Sequence, residues 1–546
     1  PYTVESETMT RELFETCLLL SKRLDKKYNK QTIAAKMTDV PGHTRSIIDP
    51  MYDAGIRLLH VGINSACPLP SVPTFCRWRS PSGNDLLLVY QKDYGEDEVL
   101  PDGKTVVSIN FTGDNHGPHS YERVKKIYAD LRKRYPQAQL VGASFNDVAR
   151  ELLLIKKDLP VVTSEIGDTW IFGYGGAPIR MAKFRAVSRL YSQWLNEGKI
   201  KKDSDVALDF AAELGLIAEH TQGVDVKTHL RQWDKYDMDK FLKGRSEGVF
   251  SMAEASWKEI DNYIDSAIAF LPASLQKEAR EVVAEVDKVK LEDNSKMKPM
   301  ARKRWEQPIA GGMTLAGLSY QMFDGDDYDD FQNRYLRARY GWALDDLGKR
   351  GLKESHAVSV TLYAQTMAQS VRKEKKGTRI ITELRFPENE KVDKRVYPER
   401  IQVNCFTTKN GKRSEVALTI YGKPAVRLPE SYWLSFTVPG IESVIAEKMG
   451  ERVNLMDVVE KGNRQMHGID RYVDLITSGE TIRISSKEAF LLNVGEAQGL
   501  NYSTNYPDKR KGVHFNLNNN LWGTNFSMWN EGSLTYHFVI ETLSRK

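Results

Sequence analysis

Asp39 is the first residue whose surroundings point to chemistry. It stands in Lys36-Met37-Thr38-Asp39-Val40-Pro41-Gly42-His43-Thr44, where a short apolar run ends in an acid, a Pro-Gly turn and a helix start. An acid at the C-terminal end of a parallel strand faces the active side of an α/β barrel. The same position also suits a carboxylate that caps a turn or a helix. A second acidic segment is Thr163-Ser164-Glu165-Ile166-Gly167-Asp168-Thr169-Trp170. Two carboxyls from separate strand ends can act as nucleophile and general acid in glycoside hydrolysis, and a Trp beside them can stack on a sugar ring. Otherwise Glu165 and Asp168 cap the following helix and Trp170 is core.

Three further segments carry polar groups in useful combinations. Ala218-Glu219-His220-Thr221-Gln222-Gly223-Val224-Asp225 closes an apolar helical run. His220 with Asp39 offers imidazole plus carboxylate, a pairing that suits zinc. Gly113-Asp114-Asn115-His116-Gly117-Pro118-His119 follows a strand, where Asp114 and His116 are placed to meet substrate hydroxyls or to cap the next helix. The amide- and aromatic-rich stretch 516–529, with Trp522, either reaches a sugar site or plugs a sheet core.

The elements that must position these residues follow from periodicity. Runs 32–37, 56–63, 86–90, 106–111, 140–144 and 161–164 predict strands, and 45–54, 120–135 and 147–155 predict helices. Alternation of that kind means βαβ units and a parallel sheet. Segments 181–195, 204–217, 252–270 and 275–290 predict a helical bundle. Beyond about 300, short strands bounded by turn residues (358–366, 378–386, 401–407, 416–421, 432–439, 482–485, 489–494 and 534–540) predict an antiparallel β-sandwich. The reading is a multidomain α+β chain: a barrel-like α/β domain over 1–177, a helical bundle over 178–300 and a β-sandwich over 301–546.

Composition narrows the function. The 546 residues are 41% hydrophobic and 28% charged, with a net charge of +5. That is a folded chain with a weak field, which gives no reason to expect a nucleic-acid partner. No apolar run approaches the ~20 residues of a membrane span. Cys17, Cys67, Cys76 and Cys405 are too few and scattered for a disulfide scaffold or a zinc–thiolate cluster, so buried free thiols are expected, with Cys67–Cys76 the one pairing open. Phosphate-loop, dinucleotide, nucleophile-elbow and His-Glu-x-x-His motifs are absent, which argues against nucleotide-dependent, α/β-hydrolase and zincin chemistry.

In order, Asp-x-Pro-Gly-His-Thr, Glu-x-Gly-Asp-Thr-Trp, Glu-His-Thr-x-Gly-x-Asp and Asn-Asn-x-Trp-Gly-Thr-Asn-Phe resemble the bacterial group catalogued as domain of unknown function 5054. That group is similar in turn to the family-38 glycoside hydrolases, the α-mannosidase family. The resemblance implies a retaining, zinc-dependent glycosidase acting on a carbohydrate. By it, Asp39 is nucleophile and metal ligand, and His220 is a second ligand. Glu165 is the acid/base, with Asp168 the alternative. From their own segments, His43, Asp114, His116, Trp170, Asp225 and Trp522 are candidates for substrate contact. The family's remaining metal ligands lie on a first strand that nothing before Asp39 matches, so they are expected upstream of Pro1. Two other functions fit the same residues. One is a metal-dependent polysaccharide deacetylase with Asp39 as base, disfavoured by the lack of a nearby His-x-x-x-His. The other is a non-catalytic carbohydrate-binding protein.

Overall fold

A computed structural model describes residues 2–543 apart from Asp114, Asn115, Asn294, Lys296 and Arg302. The chain opens with a helix, Arg11–Tyr28, capped by the Thr10 hydroxyl. Four strands then form most of one sheet: β1 (Ala34–Asp39), β2 (Leu58–Ile63), β3 (Phe75–Arg79) and β4 (Asp85–Lys92). The order is β1, β2, β4, β3, then the short strand Val161–Val162. β1, β2 and β4 run parallel, while β3 runs antiparallel to β4. The sheet is therefore open and mixed among the described residues, where a barrel-like domain was expected.

β2 and β4 are buried almost throughout, as central strands covered on both faces should be. Helices Tyr121–Arg134 and Phe145–Leu154 lie where periodicity put them. Two strand expectations change. The 106–111 run contributes only Val106–Val107, to a two-stranded ribbon. The 140–144 run forms no strand, and although Leu140 is half-buried its Val141 is 71% exposed.

Helices Pro178–Asn196, Asp205–Leu214, Ser251–Ala269 and Ala273–Asp287 make the bundle. Two antiparallel sheets follow, of seven and ten strands. Their shared core is visible in three rings. Phe436 and Phe515 of the seven-stranded sheet meet Phe538 of the ten-stranded sheet at centroid distances of 5.4 and 5.0 Å. The expected strand 358–366 is two strands in different sheets, Val360–Tyr363 and Gln365–Lys373, with Ala364 as the crossing point. All four cysteines are buried free thiols. No helix among the described residues is long and apolar enough to cross a membrane.

The first and last parts of the chain are tied by one cation. Lys448, 1% exposed, places Nζ 2.9 Å from Glu7 and 3.1 Å from Glu165. Removing one partner of a buried ion pair leaves the others uncompensated. Lys448→Met is expected to cost about 3–5 kcal/mol, read as a loss of midpoint in denaturant unfolding; an unchanged midpoint would show that the tie does not matter.

Candidate active site

Asp39 ends β1 in a left-handed backbone conformation, φ 73°. Few residues other than Gly accept this, Asp among them. The turn lifts the carboxylate off the strand axis and into a ring of donors. Asn64, which follows β2 directly, donates from Nδ2 to Asp39 Oδ1 at 3.0 Å. Tyr94, two residues past β4, donates its hydroxyl to the same oxygen. Tyr94 and Asp93 are themselves left-handed, with φ of 66° and 55°. His220 Nε2 lies 3.1 Å from Asp39 Oδ2, and its Nδ1 lies 2.5 Å from Glu219 Oε1.

Charge explains the protonation states. Burial alone would raise the Asp39 carboxyl, but hydrogen bonds and charge from His220, with Tyr94 and Asn64, hold it below its ordinary range. Burial would likewise lower His220, yet the carboxylates of Asp39 and Glu219 lift it to about 10. His43 is nearby, buried and driven down to about 3 by burial and by the charge on His220. It is a neutral imidazole whose Nε2 has no hydrogen-bond partner among the described residues.

Three loops stack backbone on backbone beside this ring. A Cβ on Gly42 would stand 2.2 Å from the Ile166 carbonyl oxygen, and one on Gly167 would stand 2.2 Å from that of Asn463. Only glycine permits both approaches, which explains the Pro-Gly and Ile-Gly pairs in the sequence. Glu165 is sealed within the stack at 2% exposure. It accepts from Thr44 Oγ1 (3.1 Å), the Arg45 amide (2.8 Å) and Lys448 Nζ (3.1 Å). Asp168 is equally buried and accepts from the amides of Trp170 (2.9 Å) and Ile171 (3.2 Å), capping the turn Trp170–Gly176. It is also hydrogen-bonded to Glu5. Burial first, then the Asp168 charge, pushes Glu5 well above its ordinary range, and burial raises Asp168 as well, against the hydrogen bonds it takes from Glu5, Trp170 and Ile171.

The remaining expected residues divide into those that join the ring and those that stand apart. Trp170 lies beside His220, ring centroids 5.9 Å apart, but it is 4% exposed and its Nε1 reaches Cys67 Sγ at 3.1 Å. Trp522 is also 4% exposed, packed against Phe172, Phe331 and Tyr335. Both are buried rings in this structure, not open platforms. Asp225 caps a short helix and holds Lys227 Nζ at 3.0 Å. His116 is exposed on its loop, and Asp114 lies outside the described residues.

Sequence reasoning passed over Asn64, Tyr94 and Asp346. The first two directly follow C-terminal ends of parallel strands, the signal that singled out Asp39. Asp346 had no signal. It belongs to a helix, Gly341–Asp346, that follows the first strands of the β-domain, and it meets Lys227 Nζ at 2.8 Å. Burial pushes its carboxyl up to about 6, against the pull of Lys227 and with help from the charges on Asp225 and Asp39.

Zinc was expected at Asp39 and His220. The described residues offer those two donors, and no group of three or more His, Cys, Asp or Glu among them is arranged to hold a metal ion. A protein zinc site takes three or four ligands. Both nitrogens of His220 are moreover engaged by carboxylates. By themselves these residues do not fit the ion.

Residues 175–307 match the family described as Domain of unknown function (DUF5054). That segment carries the bundle, His220 and Asp225, and stops short of Asp39 and Asp346. No curated protein matches the sequence. Among solved structures, the chain is similar to an α-mannosidase from Enterococcus faecalis V583, at TM-score 0.56 and 10% identity, over 100% of this chain and 78% of that one. A glycosyl hydrolase family 38 protein from Enterococcus faecalis aligns at TM-score 0.47 and 9% identity, over 100% of this chain and 77% of that one. The chain thus has a multidomain α+β fold similar to that of an α-mannosidase, with the DUF5054 match in its helical part.

Proposed function

We propose that this protein is a retaining glycoside hydrolase of α-mannosidase-like type, acting on a carbohydrate through Asp39. The observation that carries the reading is the Asp39 carboxylate. It ends a parallel strand, is kept ionised despite burial, and is oriented by Asn64, Tyr94 and His220 on two different oxygens. A carboxylate so fixed is what a nucleophile in double displacement needs. The fold similarity to an α-mannosidase supports the same reaction class.

In the first step Asp39 attacks the anomeric carbon and forms a glycosyl ester while the leaving oxygen takes up a proton. In the second step water, losing a proton to the same acid/base, hydrolyses the ester. The resemblance assigns that proton to Glu165 or Asp168. Their surroundings favour another carboxyl: Glu165 is closed in by Lys448, and Asp168, though burial raises it, is sealed at 2% exposure with its oxygens on the Trp170 and Ile171 amides. Asp346, with a side chain 10% exposed and a carboxyl at about 6, is both partly reachable and protonated in mildly acidic solution. We assign the acid/base role to Asp346. His220, a cation against Asp39, would hold the nucleophile ionised while the sugar binds. No step passes through zinc, because only two donors are in place.

Asp39→Asn is expected to lower hydrolysis of an aryl α-mannoside by about 1,000-fold or more, with the first-formed product of the unmutated protein retaining the α configuration by proton NMR. Inversion, or full activity in the variant, would sink the double-displacement reading. Sugar binding without turnover in either protein would leave a carbohydrate-binding protein.

The acid assignment predicts a pH dependence. The rate should fall as pH rises through about 6 and Asp346 loses its proton. Lys227→Met removes a charge that favours the carboxylate, so the falling limb should move to higher pH. A limb that stays in place in that variant, or activity that survives Asp346→Asn but not Asp168→Asn, returns the role to Asp168.

A further inference from the structure

Behind the Trp522 ring lies a small cavity of about 20 Å³, walled by the helical segment and the β-domain. Its polar lining is made of donors apart from Asp345. Lys349 Nζ spends one hydrogen on the Trp522 carbonyl at 3.2 Å. The Arg427 guanidinium, 3% exposed, gives one bond to the Trp233 carbonyl at 3.3 Å and lies 4.1 Å over the Tyr236 ring. Trp522 Nε1 and Thr524 Oγ1 are buried and have no hydrogen-bond partner among the described residues. Asp345 is the one carboxylate of the lining, and it is taken by Arg350 at 3.3 Å. Among the described residues neither Lys349 nor Arg427 forms an ion pair.

Two cations lining one small cavity with no acid at ion-pair distance are a costly arrangement in a low dielectric, and Asp234 acts on Arg427 only from farther away. Burial, then the Arg427 charge, drives the Lys349 ammonium down to about 7. Burial also lowers Arg427. Unpaired buried donors add their own cost. The ligand that suits such a lining is an acceptor with negative charge and no donor of its own. The space decides its size. About 20 Å³ on this measure holds one water-sized particle. A tetrahedral oxyanion needs several times that, whereas a monoatomic halide fits with little adjustment.

We propose that this cavity is a chloride site, in which Lys349, Arg427, the Trp522 indole N–H and the Thr524 hydroxyl bind the ion and anchor the Trp522 loop to the helical segment. The site is independent of the hydrolase reading, since none of its four groups belongs to the Asp39 ring or to the Asp346–Lys227 pair.

Bromide is the probe, because it scatters anomalously and replaces chloride. Crystals of the full chain soaked in sodium bromide at pH 6 are expected to show an anomalous peak bounded by Lys349, Arg427 and Trp522. A cavity holding only water, with no anomalous signal, overturns the proposal. In solution, the thermal midpoint should rise with sodium chloride relative to sodium gluconate at equal ionic strength, and the rise should saturate. Lys349→Met should abolish that difference and Lys349→Arg should keep it. Equal midpoints in both salts for the unmutated protein, or an undiminished chloride effect in a folded Lys349→Met, would count against the site. Should Lys349→Met not fold, the bromide peak decides alone.

Discussion

Lys448 is the constraint on which the arrangement rests. Its ammonium is buried between Glu7 and Glu165, and those two carboxylates belong to the start of the chain and to the loop beside Asp39. Glu7 also takes the Gly468 amide at 2.6 Å, so the β-domain grips it by two of its strands. Around this tie the loops at 40–44, 163–168 and 457–463 press together at distances that two glycines make possible. The seam is then fastened by Ser164 and Arg45 on Asp457, at 2.6 and 3.1 Å, and by Asn463 on the Asp168 carbonyl at 2.5 Å. The wall of the candidate site is thus set by the β-domain as much as by the α/β sheet it grows from.

Burial sorts the carboxyls near the site into different states. Asp39 has three donors and stays ionised. Glu5, buried and facing other acids, is pushed well above its ordinary range. Asp346, with one lysine against burial and two acids, sits between these limits. The same physics that makes each group costly to bury makes them distinct from one another, and a two-carboxyl reaction needs that distinction. His220 joins the systems, because it takes one carboxylate on each ring nitrogen.

How far these features can be read from sequence depends on how local their causes are. β1, β2 and β4 are legible because each is a short apolar run closed by a turn, and Asp39 follows from that. Pro41-Gly42 and Ile166-Gly167 show as breaks, but their partner is another loop, so their purpose is invisible without the fold. β3 alternates correctly, with Cys76 and Trp78 in and Arg77 and Arg79 half out, yet two arginines disguise it. Its antiparallel direction is what prevents a simple parallel sheet. Trp170 and Trp522 look like sugar platforms by type, and only their neighbours show that both are enclosed. Asp346 is the extreme case: its role depends on Lys227, on another element far off in sequence, and no motif surrounds it.

The seam through Lys448 also governs the order of events during synthesis. Glu165 and its lysine are 283 residues apart, and Asp168 and Asn463 are 295 apart. Until the ribosome has made the β-domain, Glu7 and Glu165 have no cation to share and no reason to enter a dry interior. The nascent N-terminal segment can form its strands, but the acidic wall stays hydrated and the Asp39 side stays open. Contacts of this separation come late in folding because the loop between them must first be closed. The arrangement acts as a checkpoint: the site takes shape only in a chain that has been completed to its last sheet.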